Sequence, residues 1–415
     1  MSMRLEIISI GDEILMGQTI NTNASWMGMR LVEIGIKPCW ISTIGDDAKD
    51  LNTALIQAEE RADVILITGG LGPTHDDITK SVTADYFHSD MEIDKNVLVH
   101  IKERFRRRGI SMAKVNESQA EVPQKARVMN NDRGTAPGFV FEKNEKYFYI
   151  MPGVPHEMKS MMNRIVLPEL TKRLKGLVTR IRMLATTGIP ESTLYEELGD
   201  ISRIEKFAKM AFLPNLKGVH IRLTAQAESE NTAFANLDRA ESKLREHIDE
   251  FIYADQDIEI EEALAHWLRE RKKSVAVAES CTGGLLMDRL TNVPGSSHFF
   301  ERGVCSYSNG SKMELLGVSE SDIEAHGAVS EPVAFQMAKG IRELAHADYG
   351  LSTTGIAGPS GGTDEKPVGL VFIGLSDEKG TIVKKFTFGE DRKGNKIRST
   401  QAALDLLRRR LLRMI

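Results

Sequence analysis

Three α/β domains in series are predicted: a three-layer α/β domain at residues 1–170, a small α+β module at 171–252 and another α/β domain at 258–415. Three observations carry this. A chain of 415 residues is too long for one ordinary hydrophobic core. Short, continuous apolar runs alternate with helical patterns near both ends, as in sheets buried on both faces. Between them, Gly218–Ala225 alternates strictly, with Val219, Ile221 and Leu223 on one face and His220, Arg222 and Thr224 on the other, as a half-covered strand does.

In the first domain Leu5–Ile10 reads as a strand, and Asp50–Glu60 as a helix with Leu51, Ala54, Leu55 and Ala58 on one stripe. Val64–Thr68 is a second apolar run and stops at Gly69-Gly70, where open α/β sheets place their ligands. The middle module reads as βαβα: a strand at Arg180–Thr187, a short helix at Glu191–Glu197, the alternating strand, and a charged helix at Asn231–Asp249. Phe251–Glu262 reads as a connection, overlapping a helix at Glu261–Arg271. A strand at Ser274–Ala278 follows, and then a turn from Glu279 to Gly284 that opens a helix. Pro367–Leu375 and Thr381–Phe388 flank a hairpin turn. The last helix, Ile397–Arg413, is expected to pack Ala402, Leu406 and Leu407 on the sheet.

Hydrophobic residues at 41% and charged residues at 27% are ordinary for a soluble globular chain. A net charge of −5 with no large block of Lys and Arg argues against direct nucleic-acid contact. Cys39, Cys281 and Cys305 form no CxxC pair, so reduced thiols in a cytoplasmic protein are expected. The N-terminus runs straight into a strand pattern without a charged leader, so no signal peptide is expected. No apolar run approaches the roughly 20 residues that span a bilayer, so no membrane association is expected.

The sharpest motif is Ala278-Glu279-Ser280-Cys281-Thr282-Gly283-Gly284. A serine at a strand-to-helix turn is exposed, and unpaired helical N–H groups beside it favour a developing oxyanion. The same serine also suits a helix N-cap. Cys281 is a rival nucleophile, but no histidine lies near it in sequence to activate a thiol. Lys312, 32 residues beyond Ser280, closes a polar run from Gly303 and is a base for the serine only if its pKa is depressed. Ser352 to Gly362 is a Gly-rich loop after a strand, able to cradle phosphate or to serve as an ordinary turn. Arg392, Lys396 and Arg398 are candidate partners for a phosphate.

Four ordered blocks resemble the C-terminal domain of the CinA family, the nicotinamide mononucleotide deamidase: Ala278–Gly284, Tyr307-Ser308-Asn309 with Lys312, His326–Ser330, and Thr354–Pro359. The resemblance covers residues 258–415 and implies a serine amidohydrolase with Ser280 and Lys312 as its catalytic dyad. It implies substrate contacts at Glu279, Thr282, Gly283, Tyr307, Asn309, Thr354, Gly355, Arg392 and Arg398, with no cofactor for deamidation. Two departures stand out. Gly369-Leu370 replaces the family's Gly-Thr, and Gly389-Glu390-Asp391-Arg392 replaces its Gly-Asp-Arg, which leaves Lys396 and Arg398 as alternatives.

The first domain carries Gly11-Asp12-Glu13-Ile14-Leu15, Asn21-Thr22-Asn23, Gly69 to Thr79 and Gly134 to Gly138. Glycines let a backbone approach a phosphorylated ligand, and clustered carboxylates suit a hard divalent cation. Asp76 and Asp77 equally suit a helix start. The set resembles the MoaB/MogA molybdopterin-binding fold found in CinA proteins. That implies a metal-dependent ADP-ribose pyrophosphatase using Mg, Mn or Co at Asp46, Asp77 and Asp76. It implies nucleotide contacts at Asn23, Gly69, Gly70, Gly72, Thr74, Gly134 and Thr135. The middle module resembles the KH-like domain of CinA, but its turn Gly188-Ile189-Pro190-Glu191 lacks the second glycine of an RNA-clamping GxxG loop. A spacer or dimerisation role is expected for it, within a homodimer. The rival readings are an N-terminal domain that only binds a pterin or nucleotide, and a partner protein in competence or recombination.

Overall fold

The computed structural model describes residues 3–74, 77–107, 109–174, 176, 178–389 and 391–415. The chain falls into two compact units, Met1–Arg180 with Gln226–Ala233, and Ile181–Ala225 with Phe234–Ile415.

The strands of the first domain are β1 (Leu5–Ile10), β2 (Trp40–Ile44), β3 (Val64–Thr68), β4 (Met91–Ile93), β5 (Glu121–Pro123), β6 (Arg127–Met129), β7 (Gly138–Lys143) and β8 (Lys146–Met151). Six of them form one sheet in the order β2-β1-β3-β8-β7-β6. β1, β2, β3 and β8 are parallel, β7 pairs antiparallel with β8, and β6 pairs antiparallel with β7. The continuous apolar runs are buried on both faces as expected. Ile8, Ile65 and Ile67 join one core while Leu5, Ile7 and Leu66 join the other. The helix Ala48–Arg61 begins two residues before the predicted span because Asp47 caps it, accepting from the N–H groups of Lys49 and Asp50.

The middle module holds β9 (Val178–Thr186), β10 (Lys209–Pro214), β11 (Val219–Ala227) and β12 (Ile252–Ala254), in the order β10-β11-β9-β12. β10 and β12 are absent from the predicted βαβα pattern. β12 lies inside the stretch expected to be a plain connection and pairs antiparallel with β9. On β11 the alternation holds, although His220, Arg222 and Thr224 are half-buried, not fully exposed.

The last domain holds β13 (Val275–Glu279), β14 (Phe300–Cys305), β15 (Tyr349–Gly355), β16 (Leu370–Asp377) and β17 (Gly380–Thr387), in the order β14-β13-β15-β16-β17. β14, β13 and β15 are parallel, and β16 and β17 form the predicted antiparallel hairpin. β13 is an interior strand, with β14 on one side of it and β15 on the other. Its C-terminal end is therefore a topological switch point, where such sheets bind ligands. The closing helix runs Arg392–Leu411, starting five residues before its predicted limit because Asp391 caps it, and buries Ala403, Leu404 and Leu407. Among the described residues no helix is long and apolar enough to cross a membrane.

Candidate functional site

Where β13 ends, Glu279 lies in register with Cys305 of β14 and Thr353 of β15. The Ser280 N–H bonds to the Thr353 carbonyl at 2.9 Å, and the chain turns through Gly283 and Gly284 at φ of 59° and 95°. Only glycine adopts those left-handed angles without strain. The following helix, Leu285–Thr291, starts at Leu285, so Ser280 is not its N-cap. Glu279 supplies the cap from the strand. Its fully buried carboxylate accepts from the N–H groups of Gly284 and Leu286, each at 3.0 Å, and of Met287 at 2.8 Å. With both oxygens engaged, Glu279 shapes the turn and does not face a substrate.

The helix Asn309–Leu316 is capped by Ser308 and places Lys312 inward, 1% exposed. The Lys312 Nζ stands 3.0 Å from Ser280 Oγ, 2.8 Å from the Ser306 carbonyl and 3.2 Å from the Tyr307 carbonyl. Burial lowers its pKa from the ordinary lysine value, and only the Cys281 and Cys305 thiols act in the opposite sense. Burial pushes the Cys281 thiol up to about 12 and raises Cys305 as well, so both are neutral near pH 7 and give Lys312 no counter-charge. A neutral amine has two hydrogens and one lone pair. In that form the Ser306 and Tyr307 carbonyls would take the hydrogens, and the lone pair would remain for the serine hydroxyl. The same shift makes Cys281 a poor nucleophile, since the thiolate is the reactive form. Among the described residues the Thr282 N–H has no acceptor, and the Cys281 N–H none but its own thiol.

The other expected contacts divide. Thr282 and Thr354 are buried, with hydroxyls held by Thr353 at 2.7 Å and the Ala328 carbonyl at 2.7 Å, so they brace the strand ends. Gly355 is packed so closely that a Cβ would stand 2.6 Å from the Leu370 carbonyl. Gly283 faces the Lys396 ammonium, 3.5 Å from where a Cβ would sit. Tyr307 and Asn309 are exposed, and Arg392 bridges the Tyr307 hydroxyl at 3.2 Å and the Gly358 carbonyl at 2.8 Å. Arg398 is not at this site but lines a separate cavity, so of the two alternatives it is Lys396 that stands beside the dyad. Sequence reasoning missed Ser306 and Asn395. The buried Ser306 hydroxyl beside Lys312 has no partner among the described residues. Asn395 ties the Ala357 and Gly389 carbonyls at 3.0 and 2.8 Å. Neither belongs to a pattern that marks a site.

In the first domain a cavity of about 490 Å³ opens at the ends of β1 and β3 and is lined by Glu13, Asn23, Asp46, Gly69, Gly70 and Asp77 among others. Asp46 accepts from the Asp12 N–H at 3.0 Å. Burial raises its pKa, opposed by that bond and reinforced by Asp12, Glu13 and Asp77. Asn23 donates to the Gly153 carbonyl at 2.7 Å, leaving its own buried carbonyl oxygen unpartnered. Gly72 and Thr74 serve Asp77 instead of the cavity. Thr74 donates to its carboxylate from both N–H and hydroxyl, and a Cβ on Gly72 would collide with it. Gly134 is held by Asn131 at 2.8 Å, and neither it nor Thr135 lines the cavity. Asp76 lies outside the described residues. Among the described residues no Lys or Arg lines this cavity, and its carboxylates are hard oxygen donors, so the chemistry fits a divalent cation. Among the described residues, however, no three His, Cys, Asp or Glu side chains converge at ligand distance.

Three family profiles match in succession: "Probable molybdopterin binding domain" over residues 6–172, "Damage-inducible protein CinA KH domain" over 181–254, and "CinA C-terminal domain" over 257–411. A CinA-like protein of Chloroherpeton thalassium is 42% identical over 415 residues, covering 98% of this chain and 99% of its own. A CinA-like protein of Salinibacter ruber is 41% identical over 411 residues, covering 99% of this chain and all of its own. The crystal structure of CinA from Thermoplasma acidophilum is similar to part of the chain, at 32% identity and a TM-score of 0.38, covering 41% of this chain and 98% of that one.

Proposed function

The chain belongs to the CinA family, and on that premise we propose that its last domain is a Ser/Lys amidohydrolase that converts nicotinamide mononucleotide to nicotinate mononucleotide and ammonia. The observation that carries this reading is the buried, acid-free amine of Lys312 at 3.0 Å from Ser280 Oγ. In the proposed mechanism neutral Lys312 takes the hydroxyl proton as Oγ bonds to the carboxamide carbon. The N–H groups of Cys281 and Thr282 stabilise the resulting oxyanion. As the C–N bond breaks, Lys312 returns the proton to the leaving nitrogen, which departs as ammonia. Water then attacks the acyl ester, its proton passing through Lys312 back to Ser280. Lys396, beside Gly283, and Arg392, bonded to the Tyr307 hydroxyl, would hold the substrate phosphate.

For the first domain the reading is metal-dependent cleavage of the ADP-ribose pyrophosphate. Asp46 and Asp77 would hold the cation, which when bound supplies charge neutralisation at the phosphates. Gly69 and Gly70 line the cavity at positive φ, and a Cβ on either would collide with the Ile10 carbonyl or the Thr79 hydroxyl, so the turn itself requires both glycines. Among the described residues no three-ligand group converges, and a second reading is a domain that binds its ligand without turnover. One experiment tests all of this: ammonia release from nicotinamide mononucleotide and AMP release from ADP-ribose, each with and without EDTA. Deamidation insensitive to EDTA with chelator-sensitive cleavage is the expected result. No ammonia under either condition overturns the amidohydrolase, and no AMP with added metal leaves the binding-only domain.

A further inference from the structure

A cavity of about 630 Å³ lies between the KH-like turn and the face of the closing helix that carries Arg398. This volume is typical of small-molecule sites. Phe386 on β17 and Phe388, just past the strand's end, line it as parallel rings with centroids 5.7 Å apart and planes 8° apart. Arg398 and Lys384 also line it, and neither has a hydrogen-bond or ionic partner among the described residues. Of the acids there, Asp405 is paired with both Arg408 and Arg409, and Glu191 stands exposed at the rim.

The walls are fixed. Gln401 on the closing helix donates to Thr187 at 3.0 Å, and Arg408 donates to the Glu250 carbonyl at 2.6 Å. The turn at Gly188 that would clamp an RNA backbone in a KH domain faces an internal ion pair instead. A Cβ on Gly188 would stand 3.0 Å from the Asp405 carboxylate and 3.6 Å from the Arg409 guanidinium that pairs with it.

We propose that this cavity is a binding site for a small planar aromatic anion, whose ring stacks on Phe386 and Phe388 and whose negative group pairs with Arg398. Parallel aromatic rings favour an offset-stacked third ring, and a guanidinium with no ionic partner among the described residues favours a carboxylate or phosphate in a bidentate pair. Nothing in the deamidase reading requires this site, since Arg398 lies away from Ser280.

The test is calorimetric titration of the full-length protein with 2-naphthoate and its neutral analogue 2-naphthamide. One saturable site for naphthoate is expected, with affinity lowered about tenfold in Arg398→Gln while naphthamide binding stays unchanged. Phe386→Ala should weaken both ligands. If that variant does not fold, Arg398→Gln decides alone, because its side chain is half-exposed. The proposal is overturned if naphthoate does not bind, if Arg398→Gln binds it as tightly as the parent, or if nicotinamide mononucleotide displaces it. Displacement by a short single-stranded RNA would equally overturn it, assigning the cleft to nucleic acid.

Discussion

The turn after β13 and the turns after β1 and β3 occupy equivalent places, each at the C-terminal end of central parallel strands, yet they resolve burial differently. Lys312 sits among carbonyls and thiols with no acid, and burial lowers its pKa. Asp46 sits among other carboxylates with no cation lining the cavity, and burial raises its pKa. Both environments disfavour the charged form of their own residue. The difference lies in the remedy. An amine is relieved by losing its proton, which on the proposed reading would make Lys312 the base for Ser280. A carboxylate cluster would be relieved by a cation from outside. On that reading the first site would act through its own side chains and the second would hold an ion.

The sharpest way to break this comparison is to remove the nucleophile. Ser280→Ala should lower ammonia release by several orders of magnitude and leave ADP-ribose cleavage unchanged. Cys281→Ala should keep most of the deamidation, because burial holds that thiol protonated. Reversal of these two phenotypes in a steady-state assay would make the thiol the nucleophile.

Changing the base is expected to act nearly as strongly. Lys312→Arg keeps a cation that does not deprotonate, so it should be as inactive as Lys312→Ala. In the parent the neutral amine is the active form. Activity should therefore rise with pH through an inflection below the ordinary lysine value of about 10.4. An active arginine variant with a flat profile would show that Lys312 serves as a fixed charge.

A smaller effect separates shaping from chemistry. Glu279→Gln preserves size but offers one acceptor oxygen where the carboxylate gives two to three N–H groups. It should cost about 1–3 kcal/mol in unfolding free energy and lower kcat while leaving KM little changed. A variant with parental kcat would show that the turn holds its geometry without this cap.

The mildest change should even be favourable. A carboxyl whose folded pKa is raised stabilises the fold below its unfolded pKa, and that contribution is lost as pH rises through the folded value. The ionised form of Asp46 therefore weakens the metal-free fold. Asp46→Asn should raise Tm by about 2 °C without metal, by calorimetry, and should abolish any further rise on adding Mn. A lower Tm in the metal-free variant would mean that its bond from the Asp12 N–H outweighs the repulsion.

Much of the scaffold was legible because it rests on local pattern. β1 and β3 have the limits that their apolar runs mark, since strands buried on both faces admit few polar residues. β10 and β12 were missed. β10 is only half-covered, and β12 is three residues long, too short to show a period. The helix after Ser280 starts later than the turn suggests because its cap comes from Glu279, a strand residue that no capping pattern includes.

By itself the sequence determined the order of the three domains, the hydroxyl at the end of β13 and the lysine that follows it. Hydrophobic period, glycine placement and motif spacing are all properties of neighbours along the chain. Tertiary structure alone decided the rest. Lys396 and Arg398 are two residues apart, which on a helix is a rotation of about 200°, so one meets the dyad and the other a different cavity. Whether Lys312 is a base or a surface charge was equally invisible in its spacing. Its pKa is set by desolvation and by which groups pack around the amine, and those come from segments brought together only when the sheet forms.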